Sequence, residues 1–285
     1  MGPWPLASLA TGDCAKQSNH PPLYWGQRAI GYLLTRGCSY DRLVGSWVYQ
    51  RRKQVLMGRS FDGSVVAVVG ASGGLGAQFV AQLRASGARI LLGGPHPDRL
   101  APLCETNDVV VPLDLRDSRA GEALVAAAQV IGRLDGVVNA AGIVAFGPLQ
   151  DLDDFLVEEL FLVDVLGRLW MTKRVAPLLS ESRGFLVNVS GVIAEAPIAN
   201  MAVYSAAKAA MSAANRALFR ELRRQGIFVC DARPPHTATG LATRAISGVA
   251  PRFPPGLTPA DVVARILRGV VEESAELAGG DFVEI

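Results

Sequence analysis

Apolar and polar positions follow a regular pattern from Ser64 to the end of the chain. Short apolar runs rich in β-branched residues indicate buried parallel strands, and segments with apolar residues at helical spacing indicate amphipathic helices. The predicted strands are Val65–Val69, Arg89–Leu92, Val109–Leu113, Gly136–Asn139, Phe185–Val189 and Ile227–Ala232. The predicted helices are Leu75–Ser86, Ser118–Ile131, Asp153–Leu179, Val203–Gln225 and Ala260–Glu273.

Strands that alternate with helices of this length predict one parallel sheet with helices on both faces. Because crossovers between parallel strands are right-handed, we expect a single doubly wound, Rossmann-like α/β domain at residues 58–285. Residues 1–57 mix Pro, Gly, Trp and basic residues with no regular period. They are expected to be a poorly ordered N-terminal extension, and a real but loosely packed extension is the alternative interpretation.

Composition excludes several classes of protein. The 285 residues are 50% hydrophobic, and the formal net charge of +2 gives no reason to expect a nucleic-acid partner. Residues 1–57 contribute 7 − 2 = +5 and the remainder 21 − 24 = −3. The four cysteines form no CxxC pair, which argues against a metal site and favours a reducing, cytoplasmic location. No apolar run reaches the roughly 18 residues of a membrane-spanning helix, so no membrane span is expected.

A glycine-rich loop follows the first predicted strand and precedes a predicted helix. Glycines there allow a tight turn and a close approach of backbone N–H groups to a pyrophosphate, which the helix N-terminus also favours. Such loops also occur for packing reasons, so it is this position between strand and helix that favours dinucleotide binding. The candidate cofactor-binding residues of the loop are Gly70, Ser72, Gly73, Gly74, Leu75 and Gly76.

Four motifs in a fixed order resemble those of the short-chain dehydrogenase/reductase family. They are Gly70-x-x-x-Gly74-x-Gly76, Asp114-Leu115, Asn139-Ala140-Ala141-Gly142 and Tyr204-Ser205-Ala206-Ala207-Lys208. The resemblance runs from about Ser64 to Thr239. It implies an NAD(P)-dependent oxidoreductase that transfers a hydride between nicotinamide and an alcohol or carbonyl substrate.

The same resemblance implies cofactor contacts beyond the loop. It places Asp114 near the adenine and Thr239 at the nicotinamide carboxamide, within a segment similar to the family's PGxVxT stretch. The further cofactor candidates are Asp114, Leu115, Asn139, Ala140, Gly142, Tyr204, Lys208, Pro234, Thr237 and Thr239.

Tyr204 and Lys208 are the candidate proton-transfer pair. They are four residues apart on a predicted helix and therefore share a face. A nearby ammonium and a nicotinamide cation would favour the phenolate and lower the pKa of Tyr204, so that it could exchange a proton with the substrate oxygen near neutral pH. An isolated pair of this kind is more often part of an ordinary amphipathic helix, and the preceding motifs are what favour catalysis.

Two positions depart from the family pattern. The family's catalytic Ser aligns with Gly191, and Ser190 is one position early, so Ser190 replaces the lost hydroxyl only if the strand end is irregular. The family's Asn, which in relatives helps to hold a water linked to the Lys, is Asp164 here. Asp164 could act through its backbone carbonyl or pair with Lys208. An enzyme with altered substrate activation is the first hypothesis; an NAD(P)-binding protein with a degenerate site, acting as a sensor or inactive oligomer partner, is the alternative.

Cofactor preference, substrate and assembly are predicted from single segments of the chain. The second strand ends at Gly94-Pro95 without the carboxylate that selects NAD, and His96 and Arg99 are nearby cations, so NADP is preferred over NAD. The apolar stretch 240–257 occupies the position of the family's substrate lid and suits a small apolar substrate. The two long predicted helices resemble those that pair subunits in the family, which implies a homodimer or homotetramer.

Overall fold

The computed structural model describes residues 59–283, and the predicted extension at residues 1–57 lies outside the described residues. A seven-stranded, fully parallel sheet forms the centre, in the order β3-β2-β1-β4-β5-β6-β7. Its strands are β1 Val65–Val69, β2 Arg89–Gly94, β3 Val109–Pro112, β4 Gly136–Asn139, β5 Phe185–Val189, β6 Phe228–Ala232 and β7 Glu276–Leu277. The predicted doubly wound α/β fold is confirmed.

Helices cover both faces of the sheet. They are α1 Gly74–Ala85, α2 Pro97–Leu100, α3 Ala120–Ile131, α4 Asp154–Phe161, α5 Gly167–Ser182, α6 Ala202–Arg223 and α7 Pro259–Val271. In β1, Val66 and Val68 pack into the core beneath α1 and α7, whereas Val65 and Val69 pack into the core beneath α3 and α5. Alternate side chains of a strand point to opposite faces, so burial on both sides explains the continuous apolar runs in the sequence.

The long helix predicted at Asp153–Leu179 is interrupted. Asp153 caps α4, its side chain accepting from the backbone N–H of Phe155, and a π-helical turn at Leu162–Leu166 separates α4 from α5. A π turn inserts an extra residue into helical spacing, and such turns frequently occur at functional sites. Periodicity could not reveal it because all flanking residues keep helical conformations.

The carboxyl ends of the strands form the edge where ligands bind in folds of this type. The strand order reverses between β1 and β4, and the loops that follow these two strands meet there. A Cβ built on Gly70 would lie 2.6 Å from the backbone of Ala141. The tight contact between residues 71 positions apart brings two sequence motifs into one site.

Among residues 59–283, no helix has the length and apolar character needed to cross a membrane. The same residues contain no group of three or more His, Cys, Asp or Glu side chains arranged to hold a metal ion.

Candidate functional site

The glycine-rich loop turns sharply at the end of β1. Gly70 has φ +81°, a conformation that favours glycine, and a Cβ on Gly76 would collide with the carbonyl oxygen of Gly70. Gly73 is the N-cap of α1 and has no side chain with which to cap the helix. The N-terminal N–H groups of a twelve-residue helix therefore face the loop without a side-chain acceptor from the cap residue, which fits an anionic pyrophosphate.

Other residues of the predicted cofactor site gather around this loop. A Cβ on Gly74 would lie 2.8 Å from Thr239, so the segment after β6 lies directly against the loop. Ser72 is half-buried, and Leu75 packs against the core beneath α1. Ala140 donates its backbone N–H to Val69 at 2.9 Å, which ties the loop after β4 to the end of β1.

Several of the candidate residues use their side chains for structure. Asp114 lies just past β3, and its Oδ1 accepts from the backbone N–H of Arg116 at 3.0 Å. Leu115 is buried in the core. Asn139 is fully buried, and its side-chain amide donates to Asn188 Oδ1 at 2.6 Å. A ligand at the last two positions would meet backbone rather than side-chain atoms.

The segment after β6 is anchored by backbone hydrogen bonds. The carbonyl of Pro234 accepts from the N–H of Val192 at 2.9 Å. The N–H of Thr239 donates to the carbonyl of Thr237 at 2.7 Å, which turns the chain toward the glycine-rich loop. This segment therefore runs along the carboxyl edge of the sheet, from Pro234 through Thr237 to Thr239 beside the glycine-rich loop.

Tyr204 and Lys208 lie near the start of α6, beside Asp164. The Nζ of Lys208 is 5.4 Å from the ring centroid of Tyr204 and 3.7 Å from Asp164 Oδ2. Lys208 is 4% exposed and Asp164 is fully buried. Of the two arrangements considered for Asp164, the structure contains the ion pair with Lys208. Asp164 Oδ1 also accepts from the backbone N–H of Ile143 at 3.2 Å.

A second buried cation, Arg168, was missed by the sequence analysis. Arg168 is 1% exposed, and its Nη2 lies 3.7 Å from Asp164 Oδ1. Its guanidinium donates to the carbonyl of Val189 at 2.8 Å and to the carbonyl of Ala141. The signal was present in the sequence, because Asp164 and Arg168 are four residues apart at helical spacing.

Burial has the largest influence on the pKa of Tyr204. In this cofactor-free chain burial raises the pKa of Tyr204 above its ordinary value, Asp164 raises it further and Arg168 lowers it. The lowering expected from the sequence needs the nicotinamide cation as well as the ammonium, so it stays a prediction for the cofactor-bound protein. Burial lowers the pKa of Lys208 to about 8, with Asp164 opposing this shift and Arg168 adding to it.

The Ser190 hydroxyl is bonded to strand β6, and its hydrogen bonds include neither Tyr204 nor Lys208. This hydroxyl donates to Asp231 Oδ1 at 2.5 Å and contacts the carbonyl of Ala232 at 3.3 Å, on the neighbouring strand β6. Asp231 also accepts from Ser212 at 2.7 Å and from Arg233 at 2.6 Å, all within a buried polar network. The structure thus brings Tyr204, Lys208 and Asp164 together but gives the hydroxyl of Ser190 to this network.

The predicted lid covers Tyr204. Leu241, Ala245 and Phe253 pack with Phe146 and Tyr204 in a small apolar cluster. Two backbone hydrogen bonds hold the lid to the loop after β4: Ile246 N–H donates to Val144 at 2.8 Å, and Phe146 N–H donates to Ser247 at 2.9 Å. Tyr204 and the stretch predicted as the lid thus share one apolar cluster, in which Tyr204 is half-buried.

Fold and site together define a class of protein, a doubly wound α/β protein with a glycine-rich loop beside a Tyr–Lys pair. The family model described as short chain dehydrogenase matches residues 64–249. The chain belongs to the short-chain dehydrogenase family and is an oxidoreductase of that type.

Individual proteins resemble the chain over most of their length. An uncharacterized oxidoreductase of Staphylococcus aureus (strain MRSA252) is 27% identical over 215 residues, covering 73% of this chain and 91% of that protein. A short chain dehydrogenase from Burkholderia cenocepacia J2315, solved in complex with NADP, has a TM-score of 0.69 at 24% identity, covering 78% and 90% of the two chains. A short chain dehydrogenase/reductase from Burkholderia phymatum in complex with NAD has a TM-score of 0.70 at 20% identity, covering 77% and 90%. At these identities the two solved structures establish the shared fold.

Proposed function

We propose that this chain is an NAD(P)-dependent oxidoreductase acting on an alcohol/carbonyl pair, with Tyr204 as the group that exchanges a proton with the substrate oxygen. The observation that carries the proposal is the position of Tyr204, which is half-buried beneath an apolar lid with Lys208 beside its ring. A phenol in this position meets the substrate oxygen in an environment from which water is excluded.

The cofactor would be held by the glycine-rich loop, the N-terminus of α1 and the segment that ends at Thr239. When bound, nicotinamide supplies the site that accepts or gives up a hydride. The side chains of the protein would then stabilise developing charge and transfer the proton. Lys208 supplies positive charge near the Tyr204 oxygen, and Asp164 holds Lys208 in place through their ion pair at 3.7 Å. The lid excludes water from the proton-transfer step.

Replacing Tyr204 by Phe tests the assignment. We expect Tyr204→Phe to lower turnover by at least about 100-fold, because general acid–base catalysis contributes on that order, while the affinity for the nicotinamide cofactor stays within a few-fold of wild type. Turnover is measured with a panel of carbonyl compounds and cofactor affinity by calorimetry.

Ser205→Ala is the matched control for this variant. Ser205 is the next residue of α6, and its hydroxyl donates to the carbonyl of Met201 at 2.7 Å. Its loss removes a hydroxyl without touching the proton-transfer pair, so turnover should be retained. Full activity in Tyr204→Phe would contradict the proposed role.

NADP is the proposed cofactor. β2 ends at Gly94 with no carboxylate to bind ribose hydroxyls, and the exposed side chains of His96 and Arg99 follow it. We expect NADPH to bind at least about tenfold more tightly than NADH. A single charged hydrogen bond to the 2′-phosphate of NADPH would supply a difference of that size. Arg99→Ala should narrow this ratio in a calorimetric comparison of the two cofactors. Tighter binding of NADH by wild type would contradict the preference.

A small apolar substrate, a homodimer or homotetramer and a cytoplasmic location complete the proposal. The lid residues that enclose Tyr204 are apolar, which supports such a substrate. Phe155 on α4 is 63% exposed and Leu166 before α5 is 41% exposed, which supports a subunit contact along these helices. Gly191 and Asp164 were the two departures that favoured a cofactor-binding protein without turnover. That alternative is not proposed, because Asp164 is paired with Lys208 and Arg168 beside Tyr204.

A further inference from the structure

Arg168 is among the most completely buried large side chains of residues 59–283, and it lies beside the proposed catalytic pair. A buried guanidinium is strongly unfavourable unless hydrogen bonds and a counter-charge satisfy it. Here the carbonyls of Ala141 and Val189, at the ends of β4 and β5, accept its hydrogen bonds. Asp164, one helical turn before it, supplies the counter-charge at 3.7 Å.

Asp164 is shared between two cations. Its Oδ1 faces Arg168, and its Oδ2 faces Lys208, each at 3.7 Å. Both distances exceed a hydrogen bond but lie within ion-pair range, so the three groups interact mainly through their charges. Lys208 and Arg168 also approach one carbonyl, that of Val189, at 3.5 Å and 2.8 Å. The two cations and the carboxylate therefore form one electrostatic unit.

The chain makes room for this unit at Gly142. A Cβ built on Gly142 would lie 2.8 Å from Asp164 Oδ1, 3.2 Å from Arg168 Nη2 and 3.3 Å from Lys208 Nζ. Any larger residue would therefore press on all three charged groups at once. Gly142, the last residue of the Asn139–Gly142 motif, therefore lies in direct contact with this electrostatic unit.

The sum of the charges identifies what Arg168 does. Within this unit Lys208 and Asp164 alone would cancel, and Arg168 restores one net positive charge. The next carboxylate, Asp231, is itself paired with Arg233 at 2.6 Å. We propose that Arg168 is a positioning residue that offsets the charge of Asp164, so that the environment of Tyr204 keeps one net positive charge. This inference rests on the proposed role of Tyr204.

The directions of the pKa shifts agree with this arrangement. Asp164 raises the pKa of Tyr204 and Arg168 lowers it, so the two oppose each other at the phenol. At Lys208 the same residues act with opposite signs, because Asp164 raises the pKa of the ammonium and Arg168 lowers it. Asp231, on β6, also raises the pKa of Lys208. Each substitution is therefore expected to shift the pKa of Lys208 in a defined direction, and this shift can be measured without an assay of turnover.

The experiment compares Arg168→Met, Asp164→Asn and the double variant Asp164→Asn/Arg168→Met with wild type. The double variant also carries a net charge of +1, from Lys208 alone. The first readout is the titration of the Lys208 side chain by NMR with 13C-labelled lysine in the cofactor-free protein. The chain has only three other lysines, and Lys208→Met assigns the signal. Lys173 lies on the same helix as Arg168, α5, but its side chain is exposed, so it serves as the internal control.

We expect Arg168→Met to move the titration of Lys208 upward from about 8 and Asp164→Asn to move it downward, with the double variant between them. The Lys173 signal should behave alike in all four proteins.

The second readout is turnover in the alcohol-oxidising direction. Arg168→Met should lower kcat at neutral pH about tenfold and shift the acidic limb of the pH profile upward by about one unit, because the phenolate loses a stabilising charge. The double variant loses the ion pair that holds Lys208, so its kcat stays below wild type, but its acidic limb should return to the wild-type position because the net charge is again +1.

Two results would overturn the proposal. One is a Lys208 titration that Arg168→Met leaves unchanged, and the other is a double variant whose acidic limb stays at the position found for Arg168→Met. If Arg168→Met fails to fold, Arg168→Gln takes its place, because it removes the same charge but keeps a side chain that can donate to a backbone carbonyl. If wild type turns over no substrate, the proposed function fails, while the lysine titration still decides whether Arg168 offsets Asp164.

Discussion

Gly191, the position predicted to align with the family's catalytic Ser, has a backbone conformation that favours glycine. Its φ is +114° and its ψ is 155°, a conformation that residues with side chains rarely adopt. The space around it is open, with the carbonyl oxygen of Pro234 at 3.9 Å from a built Cβ. A Gly191→Ser substitution would therefore be strained at the backbone, and a hydroxyl placed there would need a different turn at the end of β5.

Ser190 is expected to matter for stability more than for catalysis. Ser190→Ala leaves Asp231 without one of its buried hydrogen bonds, so the free energy of unfolding should fall by about 1–3 kcal/mol, while kcat stays within about threefold of wild type. Urea denaturation and steady-state kinetics measure the two effects.

Ser212→Ala provides a matched comparison for Ser190→Ala. The Ser212 hydroxyl donates to the other oxygen of the same carboxylate, at 2.7 Å. The two variants should resemble each other in both stability and kcat. A kcat reduced about 100-fold in Ser190→Ala alone would instead return Ser190 to the catalytic group.

At the scale of elements, the lid depends on one glycine. Gly248 has φ +72°, and a Cβ there would collide with the carbonyl oxygen of Phe146, next to the backbone hydrogen bonds that hold the lid. Gly248→Ala should release this contact. We expect the amide of Phe146, which donates to Ser247, to exchange with solvent at least about tenfold faster, since about 1–2 kcal/mol of strain acts on the closed form.

Gly240→Ala separates backbone strain from the collision. Gly240 has the same φ of +72°, but the nearest atom to a built Cβ is the Thr243 hydroxyl at 3.7 Å. Hydrogen exchange at Phe146 should therefore respond much less to Gly240→Ala, and KM for substrate should change mainly in Gly248→Ala. Equal responses in the two variants would show that the contact with Phe146 does not hold the lid.

The π-helical turn is the second element that places the site. It contains Asp164, and Arg168 follows in the first turn of α5. The long helical stretch predicted at Asp153–Leu179 is confirmed, but the π turn within it was not predicted, because such a turn leaves the apolar pattern almost unchanged. β7 was also missed, since two residues are too few to show any periodicity.

At the scale of the whole molecule, much of the fold could be predicted. β4 and β5 have the predicted bounds, and the buried apolar runs become the central strands because both faces of the sheet are covered. The family was also predicted correctly from four short motifs. A short motif or a strand consists of residues that are close together in the chain. Their chemical types and their spacing can therefore be read directly from the sequence.

The sequence by itself determined the alternation of strands and helices, the glycine-rich loop and the pairing of Tyr204 with Lys208 along one helix. Only the tertiary structure decided which charges surround that pair. Asp164 and Lys208 are 44 positions apart, and Arg168 reaches backbone carbonyls at the ends of two strands. The strength of their interaction depends on burial, and burial exists only once the sheet, the π turn and the helices have packed together.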